Sequence, residues 1–168
     1  GRVQSRSQSL SQRRLAQTWR SFDGEIAKVQ AGKRYHTEMR IAAVGLSALR
    51  LPLVRSFETS FGRMLARELI LVDVEDESGA VGWGECVADA HPFYSSETTT
   101  TAWDILGHYL VPPMLGRTLD GAADVSTRWS AVRGHQMAKA ALEMALWDLQ
   151  ARIARRPLCE LLGAPARP

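Results

Sequence analysis

The stretch from Leu65 to Val87 constrains the fold most. Leu65 to Asp76 and Val81 to Val87 are rich in β-branched and aliphatic residues, and only the turn around Glu77-Ser78-Gly79 separates them. So short a glycine-containing link predicts a β-hairpin. A third strand-like run, Ile41 to Leu51, stops before Pro52, which cannot donate to a sheet ladder, and completes an antiparallel meander. After Pro92 the apolar spacing becomes helical. Ser95 or Ser96 is placed to cap a helix with Glu97 in its first turn, and Trp103, Leu106 and Leu110 share a face until Pro112-Pro113 ends it. A shorter helix is expected from Ala122 to Val132. The longest runs from about His135 to Ala154, with Met137, Ala141, Met144, Ala145, Trp147 and Asp148 near i, i+3, i+4 and i+7. Strands first and helices second give an α+β fold, a three-stranded antiparallel meander followed by a helical bundle.

At 168 residues, 45% hydrophobic and 23% charged, the chain has the balance of one soluble globular domain. It is too short to contain a (β/α)8 barrel, which takes about 250 residues. Charge is uneven: residues 1–38 hold eight Arg or Lys against three Asp or Glu, and the remainder holds thirteen against fifteen. The basic balance belongs to the leader, so a nucleic-acid partner is not expected for the folded part. Residues 1–38 are read as a disordered or extraneous basic leader, with few apolar positions and no sustained period. No apolar run is long enough to span a membrane and the leader lacks the apolar core of a secretory signal, so a cytoplasmic protein is expected. Cys86 and Cys159 lie far apart with no CxxC spacing, and are read as reduced thiols.

Few residues invite a chemical role. Asp73, Glu75, Asp76 and Glu77 cluster at a strand end and its turn, where a solvated hairpin explains them better than a metal. The histidines His36, His91, His108 and His135 show no HxxxH or HxH pairing. Lys139 and Glu143, at i and i+4, fit a solvent-facing ion pair. Trp83, Trp103, Trp129 and Trp147 are read as core or domain-interface anchors. Neither catalytic nor metal-ligating residues are expected in this chain. The segment Phe57 to Gly62 differs, because a polar loop flanked by aromatics and closed by glycine suits a position over an apolar ligand.

Four motifs in combination carry a resemblance: Phe57-Glu58-Thr59-Ser60-Phe61-Gly62, Gly82-Trp83-Gly84-Glu85-Cys86, Pro92-Phe93-Tyr94-Ser95-Ser96-Glu97, and GHQMAKAALEMALWDL from Gly134 to Leu149. The chain from Met39 to Gly163 resembles the cap domain of the o-succinylbenzoate synthase and N-acylamino acid racemase branch of the enolase superfamily. The resemblance implies an enolase-like cap over 39–163 and, at 164–168, the truncated start of a connection to the family's (β/α)8 barrel, which is absent here. It implies that Phe57, Phe61 and Tyr94 line the apolar part of a substrate site. It further implies that the full-length parent uses Mg2+, with catalytic lysines and metal ligands on the barrel, to dehydrate 2-succinyl-6-hydroxy-2,4-cyclohexadiene-1-carboxylate in menaquinone synthesis or to racemise N-acylamino acids. The expected partners are that barrel, a small-molecule carboxylate substrate and further copies in a homo-oligomer, and the fragment alone is expected to be inactive. A stand-alone cap-fold binding module, or the cap of another muconate-cycloisomerase-like enzyme, is the alternative.

Overall fold

The computed structural model describes residues 38–60 and 62–164. Phe61, the leader through residue 37 and residues 165–168 of the expected barrel connection lie outside the described residues. Strands β1 (Met39–Thr59), β2 (Gly62–Asp76) and β3 (Val81–Cys86) form the meander. A two-residue strand β4 (Thr118–Leu119) joins the far edge of β1, so the sheet has four strands in the order β3-β2-β1-β4. The fold is α+β.

β1 runs on through Pro52 where an end at Leu51 was expected, and the hydrogen-bond alternation explains why. The Asp76 N–H donates to the Ala80 C=O at 3.0 Å, so even-numbered residues of β2 bond β3 and odd-numbered ones bond β1. The register pairs Leu51 with Arg67 and Pro52 with Ala66, which places Pro52 where the backbone faces away from β2. Its missing N–H therefore removes nothing from the β1–β2 ladder. The register slips between Pro52 and Phe57, and pairing resumes from Phe57 with Met64 to Thr59 with Gly62. The segment expected as a loop, Phe57 to Gly62, is thus the end of a long hairpin. In the β2–β3 turn, Asp76 accepts from the Ser78 N–H at 2.9 Å and the Ser78 hydroxyl at 2.5 Å, and Arg40 pairs with Glu77 at 3.2 Å. The acidic cluster here closes a turn.

Helix α1 (Thr99–Ile105) starts later than Ser95 or Ser96 allowed. Thr98 is its N-cap: the Thr98 hydroxyl accepts from the Thr101 N–H at 3.2 Å, and the Thr101 hydroxyl accepts from the Thr98 N–H at 2.9 Å. This reciprocal pair satisfies two helix-end donors, whereas the Ser95 hydroxyl serves a turn upstream, accepting from the Glu97 N–H at 3.1 Å. The helix continues through a widened turn over Leu106–Leu110, with the Val111 N–H bonded five residues back to Leu106. Leu106 and Leu110 are buried and Trp103 is exposed. The helix expected over Ala122–Val132 is shorter, a 3-10 turn Ala122–Asp124 followed by α2 (Val125–Arg128), after which Trp129 is pinned by its indole N–H to the Leu110 C=O at 3.0 Å.

The long helix α3 (Gln136–Ala154) crosses the even-numbered face of the sheet and is followed by α4 (Leu158–Leu161). Leu142, Leu146 and Leu149 meet Ile70, Val72 and Val74 in the core, each contributing about 1.5–3 kcal/mol by burial. The small residues Ala138, Ala141 and Ala145 are buried along the same helix. They bring the α3 backbone against Gly82 and Gly84, where any Cβ would run into the Ala145 and Ala141 carbonyl oxygens. Met144, expected on the buried face, is 46% exposed, because the contact stripe runs through the alanines.

Candidate functional site

Two apolar projections leave the packed body, and both carry residues singled out above. The first is the outer part of the β1–β2 hairpin. Phe57 is 58% exposed there beside exposed Val54 and Leu65, and its register partner is Met64. Polar contacts hold the tip in shape: Arg63 pairs with Glu58 at 3.5 Å, and the Thr59 hydroxyl donates to the Gly62 C=O at 3.2 Å. The second is the segment between β3 and α1, where Phe93 and Tyr94 stand exposed, Tyr94 at 80%. His91 stacks obliquely on Phe93 with centroids 5.6 Å apart. Large aromatics left in solvent on rigid supports mark a binding surface more than a core. Phe57 and Tyr94 share no ring contact among the described residues.

The second projection is mobile in neither of its ends, for both are tied down. At the start, the Thr99 N–H and hydroxyl donate to the Asp89 and Ala88 carbonyls at 2.9 and 3.0 Å. At the finish, the buried Glu97 carboxylate accepts the Met137 N–H at 3.0 and 3.1 Å and the Ala138 N–H at 3.2 Å, at the first turn of α3. Glu97 therefore caps a helix about forty residues away and not its own. Sequence reasoning missed this, although one signal was available: Gly134-His135 stands before α3 with no Ser, Thr, Asp or Asn to cap it, and in the structure His135 is left-handed and makes no capping side-chain bond, which leaves those donors in need of an acceptor.

A shallow apolar hollow lies where β3 meets the ends of α3 and α4, lined by Trp83, Met144, Trp147, Asp148, Leu158 and Leu162. Trp83 and Trp147, read above as core or domain-interface anchors, belong to it, while Leu158 and Leu162 were not singled out. On its rim the Asp148 carboxylate accepts the Trp83 N–H at 2.9 Å and the Arg152 Nε–H at 2.8 Å, so a side chain occupies the free edge of β3. Lys139 donates to the Val132 C=O and does so in place of the ion pair expected with Glu143.

The outer face of the sheet brings Gly45, Asp73 and Trp83 into one row across three strands. The Asp73 carboxylate lies over Gly45, in the space a Cβ there would need. Burial first, and then Glu75, push the Asp73 carboxyl above its ordinary value of 3.8, against a backbone hydrogen bond that lowers it. A carboxyl whose pKa is raised on folding is held more tightly protonated by the native state, so its contribution weakens stability as pH climbs through the unfolded value and toward the folded one. Asp73→Asn is expected to raise the melting temperature at neutral pH, with the gap over the parent closing as pH falls toward 3.8. Thermal melts at a series of pH values decide this: a gap that is constant with pH removes the titration account. Burial likewise pushes the Cys86 thiol up from 9.0, the opposite of what an activated nucleophile requires.

Among the described residues no group of three or more His, Cys, Asp or Glu side chains could hold a metal ion. The described residues therefore do not fit a Mg2+ site. No helix among them is long and apolar enough to cross a membrane.

Comparison with known proteins matches residues 39–163 to the family described as mandelate racemase / muconate lactonizing enzyme, N-terminal domain. The chain is 45% identical over 125 residues to an o-succinylbenzoate synthase of Geobacillus kaustophilus, covering 74% of this chain and 33% of that protein. It is 42% identical over 126 residues to an N-succinylamino acid racemase of an Amycolatopsis species, covering 75% and 34%. A solved structure of an enolase-superfamily member from Enterococcus faecalis superposes with a TM-score of 0.70 at 39% identity, covering 78% of this chain and 35% of that one. The chain thus spans about a third of the length of the relatives it matches.

Proposed function

Since the chain belongs to the mandelate racemase / muconate lactonizing enzyme family through its N-terminal domain, we propose that it is the substrate-specificity cap of an o-succinylbenzoate synthase, which dehydrates 2-succinyl-6-hydroxy-2,4-cyclohexadiene-1-carboxylate on a (β/α)8 barrel. What carries this reading is the 45% and 46% identity to two Geobacillus proteins of that name across the whole cap. The exposed aromatics supply its physical side: Phe57 on the hairpin and Tyr94 on the anchored segment present apolar surface to a ligand while the polar chemistry is done elsewhere. Phe61 is assigned the same role from its place between Phe57 and Gly62. Racemisation of an N-acylamino acid is the second reading, favoured by the 42% identity to the Amycolatopsis racemase.

In this proposal the barrel supplies the Mg2+ ligands and the proton-transferring groups, and these 168 residues alone are inactive. The apolar hollow of Trp83, Trp147, Leu158 and Leu162 gives such a domain a surface to pack against. The reading also places the protein in the cytoplasm and in menaquinone synthesis.

The test is a chimaera in which residues 39–163 replace the matching third of the Geobacillus kaustophilus protein. Dehydration is expected to survive the exchange. Phe57→Ala and Tyr94→Ala are then expected to raise KM by about tenfold, the loss of an apolar contact of about 1–2 kcal/mol. A folded chimaera that racemises N-succinylamino acids without dehydrating selects the second reading. One that does neither removes both.

A further inference from the structure

His91 stands exposed in the segment between β3 and α1, yet its ring is held. It lies on Phe93 with centroids 5.6 Å apart and planes inclined by 39°. Among the described residues neither ring nitrogen of His91 has a hydrogen bond or ion pair. The other histidines there differ: the His108 Nδ1 meets the Asp104 carboxylate at 3.0 Å, and the His135 Nδ1 is buried. An imidazole carries an N–H donor in either neutral tautomer and two when protonated, so His91 always has a donor to offer. The segment is also tied at both ends, through Asp89 and Ala88 to Thr99 and through Glu97 to α3. A donor on such a support gives up little freedom when it binds.

We propose that His91 binds the far carboxylate of a succinyl arm whose apolar part lies on the exposed rings of Phe93 and Tyr94. The inference rests on the enzyme reading above. Under that reading the dehydration and the racemisation of an N-succinylamino acid differ at the reacting carbon, but both substrates carry a succinyl arm that ends in a carboxylate remote from it. A contact to that arm selects the acyl group and not the reaction that follows.

The surroundings leave this task to His91. Covering an anion with aromatic surface costs free energy unless a donor meets it there, and from Val87 to Gly116 the chain has neither Lys nor Arg. The Glu97 carboxylate is taken up by the Met137 and Ala138 N–H groups. Asp89, two residues before His91, is half-buried. Its charge opposes an anion nearby and keeps the contact weak.

The first experiment follows the histidine ring signals by NMR in the full 168-residue chain, titrated with 4-oxo-4-phenylbutanoate, an aryl ketone that bears the same arm. Butyrophenone, with a methyl group in place of the carboxylate, is the control. A saturable shift of the His91 signals is expected, with a dissociation constant on the order of 1 mM. Those of His108 and His135 are expected to stay in place, and butyrophenone to move none of them. The second experiment uses the chimaera described above. His91→Ala is expected to raise KM about tenfold with kcat little changed, as for a contact made alike in ground and transition states. His91→Gln, which keeps an N–H donor, is expected to recover most of that loss. The proposal is overturned by His91 signals that do not move, that move equally with butyrophenone, or that move together with those of His108 and His135. It is equally overturned by an active chimaera whose KM His91→Ala leaves unchanged. An inactive chimaera removes the enzyme reading alone, and the titration then decides whether His91 holds the carboxylate.

Discussion

Gly84→Ala is expected to cost at least about 4 kcal/mol, enough to lower the melting temperature by on the order of 15 °C or to abolish a cooperative transition in a domain of this size. The reason is backbone meeting backbone. The Cβ of alanine at 84 would be driven into the Ala141 carbonyl oxygen of α3, with the Ala145 nitrogen 2.9 Å away. A clash with a flexible side-chain end is relieved by a rotamer change, but here the only relief is to lift α3 off β3. That movement would strip Leu142, Leu146 and Leu149 from the sheet, and cavities under a helix cost several kcal/mol each. Gly82 is in the same position, with Ala145 and Leu149 of α3 against its face. Gly107→Ala is the control, since its Cβ would meet open space, and a small gain of about 0.5–1 kcal/mol is expected there. Urea denaturation of the two variants beside the parent reads both effects. A Gly84→Ala protein that unfolds within a few tenths of a molar of the parent would remove the close-approach account.

The same contact shows what the sequence made legible. Strand periodicity over Leu65–Asp76 and Val81–Val87, with the turn between, needed only local rules, and the hairpin formed where those rules put it. The alternation of Gly82 and Gly84 was visible too, but a glycine pair says that something approaches, not what. Only the tertiary partner, an alanine stripe at 138, 141 and 145, identifies the contact as a helix laid on a strand. Met144 was misplaced for that reason: apolar spacing ranks side chains by size and hydropathy, whereas the packed face here is the one with the smallest residues. Pro52 was misread through a rule that is correct for inner strands. Whether proline's missing donor matters depends on which neighbour the N–H faces, and that parity follows from pairing with β2, not from the residue itself. β4 lay below any periodic signal, being two residues long. Of the expected site residues, Phe57 and Tyr94 are exposed; Phe57 leads into a polar run closed by Gly62, and Tyr94 lies between Pro92 and the pair Ser95-Ser96. The supports were not legible, since each depends on contacts between segments far apart in sequence.

Glu97 is the most consequential of those contacts. Glu97→Ala is expected to destabilise the domain by about 2–4 kcal/mol, and Glu97→Gln by about half as much. Every α-helix begins with N–H groups that have no partner inside the helix. α3 starts after a left-handed Gly134-His135 pair, and His135 makes no capping bond with its side chain. The carboxylate of Glu97, 8% exposed, fills that role from another segment, and its charge faces the positive end of the helix dipole. Alanine leaves the Met137 and Ala138 N–H groups buried without an acceptor. Glutamine keeps one acceptor oxygen and loses the charge, hence the intermediate cost. The consequence extends to the candidate site, because Glu97 closes the segment that carries His91, Phe93 and Tyr94. Amide exchange separates the local effect from a global one. In Glu97→Ala the amides of Met137 and Ala138 and those between Asp89 and Ser96 are expected to exchange faster even where β2 keeps its protection, and limited proteolysis should cut that segment first. If protection falls evenly across β2, α3 and the segment alike, Glu97 contributes stability without positioning Tyr94. If it does not fall at all, the three hydrogen bonds carry no weight in solution.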